Sequence, residues 1–169
     1  MGAVFPDALF AFHSLRKKGL HMSLQEQLTE AMKAAMKAKQ VVRLSTIRGI
    51  KTAVKNKEID LGHPLEDQEV IAVISTLVKQ RKESAEVYRA NDRPELAAKE
   101  EEELEVLQEF LPSQLSKDEL LKLVEAAIVE LGAEGMKDMG RVMKVLTEKT
   151  TGRADGKLVS QLVRTRLAG

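Results

Sequence analysis

Apolar residues recur along most of this chain at intervals of three and four positions, the spacing that places them on one face of an α-helix. The pattern predicts four helices in the first two thirds of the chain, at about residues 23–39, 40–56, 64–91 and 94–111. Three shorter helices are predicted at about residues 116–131, 138–150 and 156–167. The composition is rich in helix formers and poor in residues that favour strands, so we expect an all-α fold.

Two matching start signals divide the predicted helices into groups. Ser-x-x-Glu occurs at residues 23–26 and again at residues 116–119, in the spacing of a capping box. Just before the second signal, the proline-containing stretch at residues 111–115 interrupts the helical pattern. We therefore predict an N-terminal domain of antiparallel helices at residues 22–111 and a C-terminal three-helix domain at residues 112–169.

Residues 1–21 precede the first start signal, and Met22 stands directly before it. We interpret this segment as an N-terminal extension, added by upstream translation or by cloning. A native amphipathic helix is the alternative, because Pro6 and Asp7 suit a helix start and Gly19 suits a stop. The segment lacks the order of basic and apolar residues that an export signal requires.

The composition excludes several kinds of chemistry. The chain has no cysteine, so it can form no disulfide, thiolate nucleophile or cysteine-ligated metal site. His63 is the only histidine after residue 21, and at a Gly-His-Pro turn it is more typical of a solvated loop than of a general base. No apolar run approaches the roughly 18 residues of a membrane span. We expect a cytoplasmic protein with no catalytic residue, metal site or cofactor and no contact with a membrane.

The net charge of +1 hides a strong segregation of charge along the chain. Residues 33–57 contain eight basic residues and no acidic one, and residues 95–109 contain seven glutamates and a single lysine. Arg48, Lys51 and Lys55 recur at i, i+3 and i+7, so they share one side of the second helix and could follow a phosphate backbone. The alternative is that these cations solvate an ordinary surface or pair with the acidic fourth helix.

The third and fourth helices should form an antiparallel hairpin that reverses at Asp92. Positions equidistant from that turn then lie side by side. This geometry predicts that Arg81 lies opposite Glu103 and that Lys82 lies opposite Glu102. The glutamate run would then be partly neutralised within the hairpin.

Six segments resemble the GatB/YqeY family in order and spacing. They are IRGIKTAVKNKE at residues 47–58, KQRKES at 79–84, NDRPEL at 91–96, FLPSQLS at 110–116, MGRVMK at 139–144 and GRADGKLVSQLV at 152–163. The resemblance implies two helical domains, the second similar to the tail domain of the B subunit of glutamine-dependent aminoacyl-tRNA amidotransferase. In that enzyme the tail contacts tRNA, and the family is associated with carbon-nitrogen ligase activity with glutamine as the amide donor.

The resemblance implies nucleic-acid contacts at the matching basic positions of the C-terminal domain, which are Arg141, Lys144, Arg153 and Lys157. Our first hypothesis is therefore a non-catalytic tRNA-binding accessory protein related to the amidotransferase, with the second helix as a further basic patch. The alternative is a protein-protein adaptor that uses its segregated acidic and basic helices to bind an amidotransferase, another protein or a second copy. A third hypothesis, an enzyme that acts alone, lacks a catalytic site in the sequence.

Overall fold

The computed structural model describes residues 22–168, and over that range it confirms the predicted all-α class, with no strand. Its α-helices are α1 (Leu24–Lys37), α2 (Val41–Leu61), α3 (Asp67–Ala90), α4 (Pro94–Gln108), α5 (Lys117–Leu131), α6 (Met139–Thr150) and α7 (Gly156–Leu167). A 3-10 turn, Met136–Asp138, precedes α6. The prediction made for residues 1–21 lies outside the described residues. None of the described helices combines the length and the apolar character that crossing a membrane requires.

Both predicted capping boxes are present. Ser23 Oγ accepts a hydrogen bond from the backbone N–H of Glu26 at 3.2 Å, and the carboxylate of Glu26 accepts one from the N–H of Ser23 at 2.8 Å. Ser116 and Glu119 repeat the arrangement at 3.2 and 2.8 Å. Each box satisfies donors that the first turn of a helix would leave without a partner, so these serines fix where α1 and α5 begin.

The facing ends of α2 and α3 differ from the prediction, although a turn at residues 61–64 was expected between these helices. The second helix was expected to end near residue 56, but α2 continues to Leu61, because the glycine that can end it in a left-handed conformation is Gly62, with φ of 77°. The third helix was expected to begin near Pro64, but α3 begins after Glu66. The N–H of Glu66 donates to the carboxylate of Glu69 at 2.9 Å, so a third capping box sets this boundary.

Helices α1 to α4 enclose one hydrophobic core. Each contributes an apolar stripe, and the stripes of α3 and α4 meet along a long antiparallel hairpin. The most deeply buried large side chains are Leu28, Ile47, Ile50, Val70, Ile74 and Leu107. The hairpin reverses at Asn91 and Asp92, where Asp92 adopts a left-handed conformation with φ of 54°.

Helices α5 to α7 enclose a second, smaller core of their own. Its largest fully buried side chains are Leu120, Val124, Val142, Leu146, Val159 and Val163. The leucine and valine residues of these short helices recur at helical spacing, which brings one stripe from each helix to the centre. The domain division at residue 112 stays a prediction, and the separate cores motivate a direct test of it.

Candidate nucleic-acid-binding surface

The basic side of α2 is held in place by the apolar side of the same helix. Ile47, Ile50 and Val54 are buried against α1, α3 and α4, which fixes the rotation of α2 about its axis. Arg48 and Lys55 are exposed and lie about two turns apart, with Lys51 between them and half-buried. The three predicted cations therefore lie along one side of α2.

The three cations on this side of α2 have one acidic neighbour, Glu58, with which Lys55 pairs. Arg48 makes no ion pair with any residue in the range 22–168. The ammonium of Lys51 donates to Thr29 Oγ1 at 2.7 Å, which holds it beside α1 without neutralising it. Lys55 Nζ lies 3.5 Å from the carboxylate of Glu58, while 71% of the Lys55 side chain remains exposed. Of the three cations, Arg48 and Lys51 therefore form no ion pair within the described residues, and Lys55 has one exposed partner.

A shallow pocket of about 230 Å³ adjoins these cations between α1 and α2. Its lining consists of Gln25, Leu28, Lys51, Val54, Lys55 and Glu58. Gln25 Nε2 donates to Glu58 Oε1 at 3.0 Å and to the carbonyl of Leu65 at 3.1 Å. The Gln25 hydrogen bond, followed by one from the N–H of Leu65 and by the charge of Lys55, lowers the pKa of Glu58. The pocket therefore combines two ammonium groups with one firmly ionised carboxylate.

Two of the C-terminal cations lie on α6. The guanidinium of Arg141 bonds to the carboxylate of Asp138 at 3.2 Å and to the carbonyl of Leu131 at 2.8 Å, so it ties α6 to the end of α5. Lys144 is exposed and one turn further along the helix. It forms no ion pair within the described part of the chain.

The other two C-terminal cations contact the N-terminal half of the chain and the segment that joins the halves. Arg153 Nε donates to the carbonyl of Ser113 at 3.3 Å. Lys157 Nζ lies 3.6 Å from Glu83 Oε1 in α3. Of the four basic residues implied by the resemblance, Lys144 is exposed without an ion pair in the described range. The other three contact other parts of the same chain.

The turn between α6 and α7, residues 151–155, packs against α3 and against the segment that precedes α5. The sequence did not predict this contact. Gly152 is buried with φ of 76°, and a Cβ placed on it would lie 2.4 Å from Ile71 Cγ2 in α3. Its carbonyl accepts a hydrogen bond from the Gln114 side chain at 2.7 Å, and the next carbonyl accepts one from the N–H of Leu115 at 2.7 Å. The signal for this contact was the broad apolar stripe of α3, which includes Ile71 and is wide enough to face two neighbours.

Half of the six glutamates of the acidic helix α4 pair with arginines of α3. Glu100 and Glu103 both bond to Arg81, and Glu101 contacts Arg89. Glu109, just beyond the helix, pairs with Arg43 of α2 at 2.5 Å. These pairs neutralise part of the glutamate run, while the other three glutamates of α4 are exposed and form no ion pair within residues 22–168.

The described residues offer little for metal binding or general acid-base chemistry. Within residues 22–168, no group of three or more histidine, aspartate or glutamate side chains is placed to hold a metal ion. His63 is exposed, and its Nδ1 lies 2.8 Å from the carbonyl of Pro64. It lies in the turn before α3 and does not line the pocket beside Lys51 and Lys55.

Fungal proteins named "Altered inheritance of mitochondria protein 41, mitochondrial" are similar to this chain. The relative from Lachancea thermotolerans is 40% identical over 85 residues, which are 50% of this chain and 46% of the relative. The relative from Vanderwaltozyma polyspora is 40% identical over 87 residues, 51% of this chain and 47% of the relative. A Saccharomyces cerevisiae relative is 33% identical over 108 residues, 60% of this chain and 58% of the relative. The matched region spans about half the length of these curated relatives.

These names correct one expectation from the sequence. The chain was expected to be cytoplasmic, and that prediction is wrong on this comparison, because the relatives are mitochondrial proteins by name. Its basis was the lack of cysteine and of an export signal, and neither feature separates the cytoplasm from a mitochondrial compartment.

The family comparison covers both groups of helices. The sequence model described as "Yqey-like protein" matches residues 25–167, from the first turn of α1 to the last residue of α7. The segments at residues 47–58 and 152–163, which carry the resemblance in the sequence, both lie inside that match. This chain belongs to the YqeY family.

Proposed function

We propose that this protein is a non-catalytic RNA-binding accessory protein that binds tRNA and works with glutamine-dependent tRNA amidation. The observation that carries the proposal is the basic side of α2, where Arg48 and Lys55 are exposed about two turns apart with Lys51 between them. A helix that presents cations at this spacing can contact successive phosphates of a nucleic-acid backbone.

The described residues favour contact with the backbone over contact with bases. Tyr88 and Phe110 are the aromatic residues of the described range, and Phe110 is buried in the first core. The basic side of α2 itself carries no aromatic side chain on which a base could stack. A folded RNA recognised by its shape and its phosphates fits this surface better than an unpaired strand.

The C-terminal helices add a smaller contribution in this proposal. Lys144 is exposed and has no acidic partner in the described range, and Arg141 lies one turn before it with its guanidinium side chain still 61% exposed. Arg153 and Lys157 are engaged in contacts with the rest of the chain and contribute only when those contacts open. The link to tRNA and to amidation rests on the resemblance to the amidotransferase tail.

The proposal is tested by tRNA binding measured over a range of salt concentrations. Replacing Arg48 and Lys55 together by alanine should weaken binding and make the log-log salt dependence shallower by about 1.4 to 1.8 units, at roughly 0.7 to 0.9 per lost contact. The matched control is Lys57→Ala with Lys99→Ala, which removes the same charge from exposed positions away from this side of α2.

An equal loss of tRNA affinity in both double variants would show that binding depends only on net charge. That result would contradict a defined binding surface on α2. Binding that ignores salt and all four substitutions would favour the adaptor hypothesis instead. The non-catalytic part is tested separately: purified protein given glutamine, ATP, magnesium and misacylated tRNA should form no amidated product.

A further inference from the structure

One carboxylate oxygen in the structure is shared by two lysines from different parts of the chain. Glu83 Oε1 in α3 lies 4.0 Å from Lys79 Nζ, one turn earlier in the same helix. The same oxygen lies 3.6 Å from Lys157 Nζ in the first turn of α7. Two ammonium groups separated by 78 positions in the sequence therefore converge on one point.

The convergence depends on how the C-terminal helices sit against α3. The turn at residues 151–155 brings Gly152 into van der Waals contact with Ile71, and a Cβ on Gly152 would also lie 3.3 Å from Pro112 Cδ. Asp155 caps α7 through the N–H of Lys157 at 2.8 Å, which fixes the backbone of Lys157 at the start of that helix. The placement of Lys157 beside α3 thus follows from the buried turn.

We propose that Lys79 and Lys157 form a phosphate site across the two groups of helices, and that the Glu83 carboxylate occupies this site until RNA binds. The inference rests on the proposed function and deepens it, because it adds a phosphate contact and a built-in competitor for it. A phosphate oxygen in the place of Glu83 Oε1 would meet both ammonium groups.

The exposure of the three side chains allows this exchange. Glu83 is 50% exposed, Lys79 is 63% exposed and Lys157 is 79% exposed, so the carboxylate can rotate into solvent without leaving a buried charge. Ion pairs at this exposure are weak and are further screened by salt. A phosphate in a polyanionic RNA brings more negative charge than one carboxylate and gains from counterion release.

The test uses the full chain, a tRNA transcript and two variants that remove the same charge. Glu83→Gln should bind the transcript about fivefold more tightly than the natural protein at low salt, because RNA no longer has to displace a carboxylate from the two lysines. Glu86→Gln is the matched control, since Glu86 is exposed one turn away on α3 and forms no ion pair within residues 22–168. It should change affinity by no more than about twofold.

A further substitution identifies the lysine from α7. Adding Lys157→Ala to Glu83→Gln should return the affinity to about that of the natural protein, whereas adding Lys99→Ala to Glu83→Gln should leave most of the gain. Circular dichroism on each variant would establish that the helical fold is retained, which is expected because all of these positions are exposed.

The possible outcomes separate this inference from the proposed function. Equal affinities for Glu83→Gln and Glu86→Gln would overturn the phosphate site, and the proposed function would stand if Arg48→Ala with Lys55→Ala still weakened binding. If Glu83→Gln raises the affinity for tRNA and the rise remains after Lys157→Ala is added, the site across the two groups of helices would also be overturned. A natural protein and a Glu83→Gln variant that both fail to bind tRNA would overturn both.

Discussion

Arg81 Nε in α3 lies 3.2 Å from Glu103 Oε2 in α4, the pairing that reversal of the hairpin at Asp92 predicts. The same guanidinium also bonds to Glu100 at 2.9 Å, one turn away on α4. Lys82, which was predicted to lie opposite Glu102, makes no ion pair within the described range. Consecutive helical residues are about 100° apart around the axis, so two neighbours cannot both face the adjacent helix.

Arg81 and Glu103 should be energetically coupled. In a double-mutant cycle with Arg81→Ala and Glu103→Ala, we expect a coupling of about 0.5 to 1 kcal/mol, since both side chains are partly shielded from solvent. The cycle with Lys82→Ala and Glu102→Ala serves as the control and should give a coupling near zero. Urea unfolding of the proteins in each cycle measures both values. Equal coupling in the two cycles would contradict the observed hairpin geometry.

Two glycines should respond in opposite directions to alanine. Gly152→Ala should destabilise the protein by about 2 to 4 kcal/mol, because it adds left-handed backbone strain and an overlap with Ile71. Gly49 lies exposed inside α2, and a Cβ added to it would meet no other atom within 4 Å. Gly49→Ala should therefore stabilise the protein by about 0.5 to 1 kcal/mol. Thermal and urea unfolding measure both effects. A neutral Gly152→Ala would show that the buried turn does not form in solution.

Glu58 should make the free energy of unfolding depend on pH in the acidic range. Its pKa lies below the ordinary value of 4.5, first because of the Gln25 hydrogen bond and then because of the Leu65 N–H and Lys55. Because the carboxyl has a lower pKa in the folded protein than in the unfolded chain, its ionised form stabilises the fold. This stabilisation is fully present above pH 4.5 and is lost as the pH falls through the pKa of the folded protein. Glu58→Gln should therefore be less stable than the natural protein at pH 7, and the difference should shrink below pH 4.5.

Unfolding at about pH 7 and about pH 3, on either side of the ordinary carboxyl pKa, checks this dependence. Gln25→Ala should lose part of the same acid sensitivity, because it removes the largest cause of the shift. An NMR titration of the Glu58 carboxyl carbon gives its pKa directly. A value at or above 4.5 would contradict the hydrogen bonds described for this side chain.

The C-terminal helices should fold on their own. A fragment of residues 112–168 contains the whole second core, from Leu120 to Leu167, and the capping box that begins α5. We expect it to be helical by circular dichroism and to unfold cooperatively, at a lower temperature than in the full chain, since it loses the contact with Ile71. Replacing the fully buried Leu146 by alanine should unfold it. A fragment without helical signal would remove the predicted division at residue 112.

The sequence by itself determined the helices and most of their ends. Period-3.6 patterns and local capping decide these features, and both act within a few residues of the chain. Ser23 and Ser116 fixed two starts correctly for this reason. The second helix was predicted to end near residue 56, before the expected turn at residues 61–64, but α2 continues up to that turn and ends at the left-handed Gly62. The hairpin register was also accessible, because a tight reversal at Asp92 converts sequence distance into spatial position.

Only the tertiary structure decided which charged side chains are free and which are engaged. Arg48 and Arg153 look alike in the sequence, yet Arg48 is exposed on α2 and Arg153 bonds to the carbonyl of Ser113. The partners of Arg153 and Lys157 lie 40 and 74 positions away along the chain. The spacing of residues within a helix cannot predict contacts at such sequence separations. Contact between α3 and the turn at Gly152 depends on how two packed groups of helices dock, and docking is set by the shapes of their complete surfaces.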